Sequence, residues 1–386
     1  MRSSTSFDAI VIGVGSMGSA TCYYLAKRGY KVLGLEQFDI SHEFGSHAGQ
    51  SRIIRKAYFE HPDYVPLLEK AYENWKIFEE EAGEQLYFKT GLLYAGTSNN
   101  EMIKGVKNSS SLYDIELEKL NRVDVAKRFH QFRFPENFEV LFEPEAGFIT
   151  PEKAIRLYAA QATKNNATIY SNEKVIEWRK DGTGIIVKTD KNSYQCNKLI
   201  ITTGAWAGKM IPGFTDKIRV TRQFVAWIKT KDDMQFALNN FPCWMVGDDE
   251  KHGCYYGFPL LDTKKFGEPT GLKLAHHFPK EVTDPDKVDR QATEKDIQNL
   301  KYCLDKYLPE VFDSILSTKI CLYANSPDEN FIIDKLPGYE ENVSIACGFS
   351  GHGFKFASVV GEILADLAIN RKTDHPIKFL NAKRFV

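Results

Sequence analysis

The residues best suited to chemistry come early in the chain. A short apolar run at 7–12 leads directly into G-V-G-S-M-G at 13–18, and a second apolar run at 31–35 ends on Glu36. Glycines at this spacing between a strand and a helix, with an acid at the tip of the next strand, suit a dinucleotide. Gly13 permits the tight turn out of the strand. Gly15 lets a pyrophosphate approach the backbone, and Gly18 lets the helix pack closely on the sheet. The helix, expected over 19–29 with Ser16 and Met17 at its approach, offers unpaired N–H groups and a partial positive charge to phosphates. Glu36 can accept hydrogen bonds from a ribose diol and disfavours the 2′-phosphate of NADP. The fingerprint alone leaves NAD and FAD both open.

Further loops have a composition that lets backbone approach a ligand. Residues 45–55, G-S-H-A-G-Q-S-R-I-I-R, place two arginines and a histidine among small residues, although a solvated basic loop reads the same way. T-T-G-A-W at 202–206 closes a strand with a small-residue turn. G-F-S-G-H-G-F-K at 348–355 is a second glycine-rich loop feeding a helix. Nothing has metal-ligand spacing, and His276 and His277, adjacent on a strand, point to opposite faces.

The elements that must position these groups alternate between two patterns. An amphipathic helix is expected over 63–81, and a strand at 86–96 opens a second domain. Residues 100–127 are polar with helical stretches, and 140–147 reads as strand and turn. Thr150-Pro151 starts a helix through 162, as a cap followed by proline at the first helical position. Strands at 167–170, 175–179, 184–189 and 198–203 return to the nucleotide domain. From 222 the strands 223–229, 254–258 and 271–277 alternate, as in an antiparallel platform over a cofactor. A helix over 293–308 opens on a Thr-x-x-Asp cap. Strands at 317–323, 331–334 and 343–347 precede a last helix over 356–369. The expected fold is α/β: a discontinuous Rossmann-like domain (1–85, 150–221 and 329–386) with an inserted α+β substrate domain built on an antiparallel sheet (86–149 and 222–328). A nucleotide domain interrupted in this way favours FAD, which is long and contacted by many segments.

Composition excludes other classes. At 386 residues the chain can bury a large core, and its 13% aromatic content is that of a globular protein. A net charge of −1 with no long basic run gives nucleic-acid binding no electrostatic support. No apolar run approaches the ~20 residues needed to span a bilayer, and the N-terminus leads straight into the first strand with no room for a signal peptide. The seven cysteines are scattered without C-x-x-C, the pattern of reduced thiols in a cytoplasmic protein.

Several stretches together carry a resemblance. They are the fingerprint, G-S-H-A-G-Q-S-R-I-I-R-K-A-Y at 45–58, Y-Y-G-F-P at 255–259, G-L-K-L at 271–274, N-S-P-D-E-N-F-I-I-D at 325–334 and the loop at 348–356. In this order, and nearly end to end, the chain resembles monomeric sarcosine oxidase and N-methyltryptophan oxidase. These are FAD enzymes of the D-amino-acid-oxidase-like fold, which oxidise an N-methyl amino acid with O₂ and give H₂O₂, formaldehyde and the free amino acid. The resemblance implies a thioether from Cys321 to the flavin and a carboxylate clamp of Arg55 and Lys355. It also implies a role for Lys273 in the reaction with O₂, with Arg52 beside the flavin. Lys273 lies between Leu272 and Leu274, so its side chain points away from theirs. Tyr256, His277 and Tyr323 match residues on the substrate side of the ring. Gly351, His352, Gly353 and Lys355 match the loop at its N1/C2=O edge, and Gly45, Ser46, Val175, Gly204 and Trp206 match other cofactor contacts. The family leans to monomers.

One departure stands out. The family commonly has G-S-H-H-G-D-T-R; this chain keeps His47 but has Ala48, and Gln50-Ser51 replaces Asp-Thr. Other readings are oxidation of a glycated amino acid or cyclic imino acid by the same chemistry, an NAD-linked dehydrogenase, and a non-catalytic flavin-binding protein.

Overall fold

The first strand, Thr5–Ile12, lies inside a parallel set. The computed structural model describes residues 5–277, 281–309 and 311–385, so Met1 to Ser4, read above as leading into this strand, lie outside the described residues. Thr5–Ile12 pairs in parallel with Val32–Leu35 and with Ser193–Ile201, and Ile12 lies opposite both Leu35 and Ile201. Thr168–Tyr170 extends one side. On the other side, residues 199–201 pair in parallel with Val343–Cys347, while an antiparallel hairpin, Val175–Asp181 and Gly184–Thr189, adds to residues 193–196. Parallel sheets are covered on both faces, so their strands read as unbroken apolar runs. Ala9 and Val11 face a core shared with the helices Ser16–Lys27, Val65–Ala82, Pro151–Lys164 and Ala357–Asn370. Ile10 and Ile12 face a second core on the opposite side.

A second sheet runs in the order Phe312–Asn325, Arg219–Thr230, Leu272–His277, Cys254–Gly257, Cys243–Gly247, Leu92–Thr97, Phe138–Glu143 and Glu118–Leu120. Helix Glu294–Tyr307 covers one face, packing on Phe224, Ala226, Leu272 and Leu274. Val225, Trp227, Ala275 and Cys321 alternate onto the other face. Arg52–Ile54, Gly147–Ile149 and Tyr87–Lys89 form a small third sheet.

Several expectations are corrected here. The strand expected at 86–96 is two, Tyr87–Lys89 and Leu92–Thr97, in different sheets. They break at Gly91, whose φ is +70° and where a Cβ would lie 2.1 Å from the Phe142 ring. The platform is not wholly antiparallel, because Cys243–Gly247, a strand missed in the sequence, runs parallel to Leu92–Thr97. The first helix starts at Ser16, three residues early, so Ser16 and Met17 belong to its first turn. Thr150 sits at its N-cap position, but its hydroxyl faces the Leu86 carbonyl and does not cap. Thr293 and Asp296 do form the expected capping box.

Helices Ser16–Lys27 and Ala357–Asn370 meet at Gly361, where a Cβ would lie 2.6 Å from that of Ala20. Gly361→Ala is expected to cost roughly 1–3 kcal/mol through overpacking. The urea midpoint should fall while the flavin spectrum of the folded protein stays the same. An unchanged midpoint would mean that the two helices part freely at this point.

Candidate active site

The phosphate end of the site is made by main chain. Gly13, at φ +88°, turns the chain so that its N–H meets the Leu35 carbonyl at 2.8 Å. Gly18 does not line the cavity; a Cβ there would lie 1.8 Å from the Gly13 oxygen, so it is the close-packing glycine. At Gly15 the nearest obstacle to a Cβ is His47 at 3.9 Å, which leaves the approach open. No side chain caps this helix, so its first N–H groups are left to a ligand. Glu36 is buried, and its two oxygens take the N–H groups of Val14 at 2.9 Å and Phe38 at 3.1 Å. Burial raises its pKa to about 7 in spite of these bonds.

A single cavity of about 500 Å³ runs from this loop to the second sheet, a volume typical of a buried cofactor or substrate site. Gly13, Gly15, Ser16, Met17 and Glu36 line it, with Gly45, Ser46, Val175, Gly204 and Trp206. Gly351, His352 and Gly353 follow from the second glycine-rich loop. Gly351 is at φ +82°, and a Cβ there would lie 2.2 Å from the Tyr323 ring. Two buried polar atoms on the cavity wall, His47 Nε2 and Thr203 Oγ1, have no hydrogen-bond partner among the described residues. Buried polar groups are normally satisfied, so the cavity is shaped and polarised for an occupant. The glycine turn, open helix start and acid fit a dinucleotide with an adenosine ribose, as FAD carries.

At the far end Arg55 and Lys355 are both buried. Arg55 stands over the rings of Tyr58 and Phe59 and donates to the Ala57 carbonyl at 3.0 Å. It also holds a carboxylate that sequence reasoning missed: Glu60, with both oxygens 2.7 Å from Arg55 Nη2. The available signal was an acid five residues after Arg55, following Ala57, Tyr58 and Phe59. Burial alone would raise the Glu60 carboxyl, but Arg55, His352 and Lys355 together outweigh it and hold the pKa at about 2. Lys355 Nζ donates to the His352 carbonyl at 2.7 Å. Burial, together with Arg55, lowers its pKa to about 7, against a smaller upward pull from Glu60. The Arg55 loop is itself pinned by Glu143, which accepts from the Lys56 N–H and the Tyr94 hydroxyl at 2.6 Å each.

Between these ends stand Tyr256, His277 and Tyr323. His277 Nδ1 is 2.9 Å from the Tyr323 hydroxyl, which is hydrogen-bonded to Tyr256. Burial lowers the His277 pKa to about 3, so the ring is neutral. His276 turns to the opposite face, stacking on Tyr255. All seven cysteines are buried, but Cys321 is the one among the described residues that lines the cavity. Its thiol points at the Ala48 carbonyl, 3.4 Å away. Arg52 also lines the cavity and caps the carbonyls of Ser46, Ala48 and Ser51. Lys273, by contrast, lies behind this wall, with its ammonium on loop carbonyls. Among the described residues no group of three acids, histidines or cysteines could hold a metal, and no helix is long and apolar enough to cross a membrane.

Comparison with known proteins agrees with this geometry. A family model described as FAD dependent oxidoreductase (DAO) matches residues 8–367. The chain is 37% identical to monomeric sarcosine oxidase of Bacillus sp. (strain NS-129), over 99% of this chain and 97% of that protein. It is 33% identical to N-methyl-L-tryptophan oxidase of Salmonella enteritidis, over 98% and 99%. In fold it is similar to the open form of NikD, described as an unusual amino acid oxidase, with a TM-score of 0.83 at 24% identity over 98% and 97% of the two chains. A dinucleotide cradle, a buried cavity and full-length similarity thus converge on one conclusion: the chain belongs to the DAO family of FAD-dependent oxidoreductases, and is an amine oxidase of that family.

Proposed function

We propose that this chain oxidises the N-methyl group of a small amino acid and passes the electrons to O₂. The imine formed is hydrolysed by water, and the products are the free amino acid, formaldehyde and H₂O₂. The observation that carries this reading is the buried pair Arg55 and Lys355 at the end of the cofactor cavity, facing a neutral His277. The residues bordering the dinucleotide suit the FAD-binding segments 1–85, 150–221 and 329–386, with the substrate side contributed by 86–149 and 222–328. A monomer in the cytoplasm is the simplest setting.

The chain's own groups account for binding and orientation. Arg55 already has a carboxylate, from Glu60, whereas the Lys355 ammonium donates to a carbonyl and stands over the rings of Tyr58 and Phe356, with no carboxylate bonded to it among the described residues. An incoming carboxylate therefore docks on Lys355, supplying the anion that the buried ammonium lacks, and competes with Glu60 for the N–H groups of Arg55. His277 and Tyr323 fix the amine by hydrogen bonds, and because His277 is neutral it does not repel or protonate the amine. Bound flavin supplies the two-electron acceptor for the methyl C–H and returns those electrons to O₂. Lys273 offers a buried cation to the anion that O₂ becomes on one-electron reduction. Cys321, exposed to the cavity, is the candidate for a covalent link to the flavin. Burial pushes the thiols of Cys22, Cys196, Cys243, Cys254 and Cys347 up to about 12 and that of Cys303 well above the usual range, so these stay inert.

Three outcomes test this reading. Anaerobic addition of sarcosine or N-methyl-L-tryptophan should bleach the flavin band; a band that neither compound bleaches removes N-methyl amino acids as the substrate class. Protein precipitated with acid should keep its flavin, and Cys321→Ser should release it; flavin that stays bound to the serine variant excludes Cys321 as the link. Propionate, a carboxylate without an amine, should bind below pH 7 and perturb the flavin spectrum. Lys355 is charged below its pKa of about 7 and neutral above it. Affinity should therefore fall by up to ~10-fold per pH unit above that point until binding rests on Arg55 alone. Lys355→Met should flatten the profile, and an inflection that survives in this variant belongs to another group.

A further inference from the structure

Lys273 and a second residue outside the cavity wall grip opposite ends of one peptide bond. The Lys273 ammonium donates to the Gly49 carbonyl at 2.5 Å, to the Ser51 carbonyl at 2.6 Å and to Ser51 Oγ at 3.3 Å. The Gly49 carbonyl shares its peptide unit with the N–H of Gln50. That N–H donates to the Glu152 carboxylate at 3.0 Å, and the Gly49 N–H donates to the same oxygen at 2.6 Å. A cation therefore pulls on the oxygen end of the peptide while an anion pulls on its N–H end. Hydrogen bonds in series of this kind polarise and strengthen one another.

The loop does not take this shape by default. Gly49 has φ +117°, and Gln50, a non-glycine, has φ +71°, a conformation that costs energy and needs fixed contacts to hold it. The Gln50 side chain adds to the contacts: its amide donates to the Gly267 carbonyl at 2.6 Å and accepts from Trp227 Nε1 at 3.2 Å. Glu152 stands in the first turn of helix Pro151–Lys164, where a carboxylate is favoured. The groups whose charges act on Lys273 are Arg52 from its own loop contact, Cys243 and Cys321 from the sheet, and Glu152. Burial and Arg52 both disfavour the ammonium and hold its pKa well below the usual lysine range; Glu152 is the carboxylate that pulls against them. Burial would raise the Glu152 carboxyl too, but the two N–H groups and Arg52 keep it low.

We propose that Glu152 is a positioning residue for Lys273, holding the ammonium charged and in place through the Gly49–Gln50 peptide, and so serves the oxygen half of the cycle without touching substrate or cofactor. This rests on the reading of Lys273 given above. The test uses the flavin-loaded enzyme and the variants Glu152→Gln, Glu152→Asp, Lys273→Met and the Glu152→Gln/Lys273→Met pair. Rapid mixing separates flavin reduction by the amine from reoxidation by O₂. Glu152→Gln should slow reoxidation on the order of tenfold and leave reduction nearly unchanged. Glu152→Asp should fall between it and the parent, and remains available if the Gln variant does not fold. In the Lys273→Met background, Glu152→Gln should slow reoxidation no further. The melting temperature gives a second readout: the pair should lose less than the sum of the two single variants, because each single variant strands a buried charge. Equal slowing of both half-reactions, or additive melting shifts, overturns the proposal. Unchanged reoxidation in Lys273→Met would instead remove the oxygen role of Lys273, and the melting cycle would still report whether Glu152 holds it.

Discussion

Buried positive charge is the constraint around which the site is arranged. Arg55 and Lys355 are both buried, where water screens charge poorly, and Arg55 disfavours the charged form of Lys355. A buried cation persists only with a partner. Arg55 has Glu60; Lys355 has a carbonyl and is left close to neutrality at physiological pH. On the reading proposed above, a carboxylate that enters gives Lys355 the anionic partner it lacks and favours its charged form, whereas a neutral amine gains nothing there.

The second sheet converts sequence spacing into that arrangement. Successive side chains on a strand face opposite ways. On Leu272–His277 this puts Lys273, Ala275 and His277 on one face, with Leu272 and Leu274 packed on the covering helix. On Phe312–Asn325, Cys321 and Tyr323 share a face in the same way. Tyr256 lies opposite Ala275 in register, so its ring reaches the same surface. A one-residue slip would turn every one of these groups to the wrong side. The apolar face under helix Glu294–Tyr307 fixes the register, and so a hydrophobic core sets the chemistry above it.

Much of this was legible in the sequence because it follows local rules. The glycine turn, the acid at the strand tip and the capping box at Thr293 are spacings of a few residues, and all three form. The alternation around Lys273 was also readable. What escaped depends on distant partners. Cys243–Gly247 pairs with a strand about 150 residues away and carries no pattern of its own; being covered on both faces, it is buried throughout. Glu60 looked like an ordinary acid after a basic segment until the fold buried it on Arg55. Glu152 looked like a helix-start acid, and only the folded loop shows whose N–H groups it takes.

The departures at 48, 50 and 51 bear on this last point. Most of the bonds that hold the loop are made by its carbonyls and N–H groups, with Ser51 Oγ and the Gln50 amide adding side-chain contacts. The Ala48 carbonyl still takes Arg52 and faces Cys321, and the Ser51 carbonyl still takes Lys273. Main-chain groups are present whatever residue is encoded, although the residues at 48, 50 and 51 are themselves buried. Gln50 adds to the framework by tying the strained turn to Trp227 and Gly267. The positions to watch are those whose side chains grip the backbone: Arg52, Lys273 and Glu152.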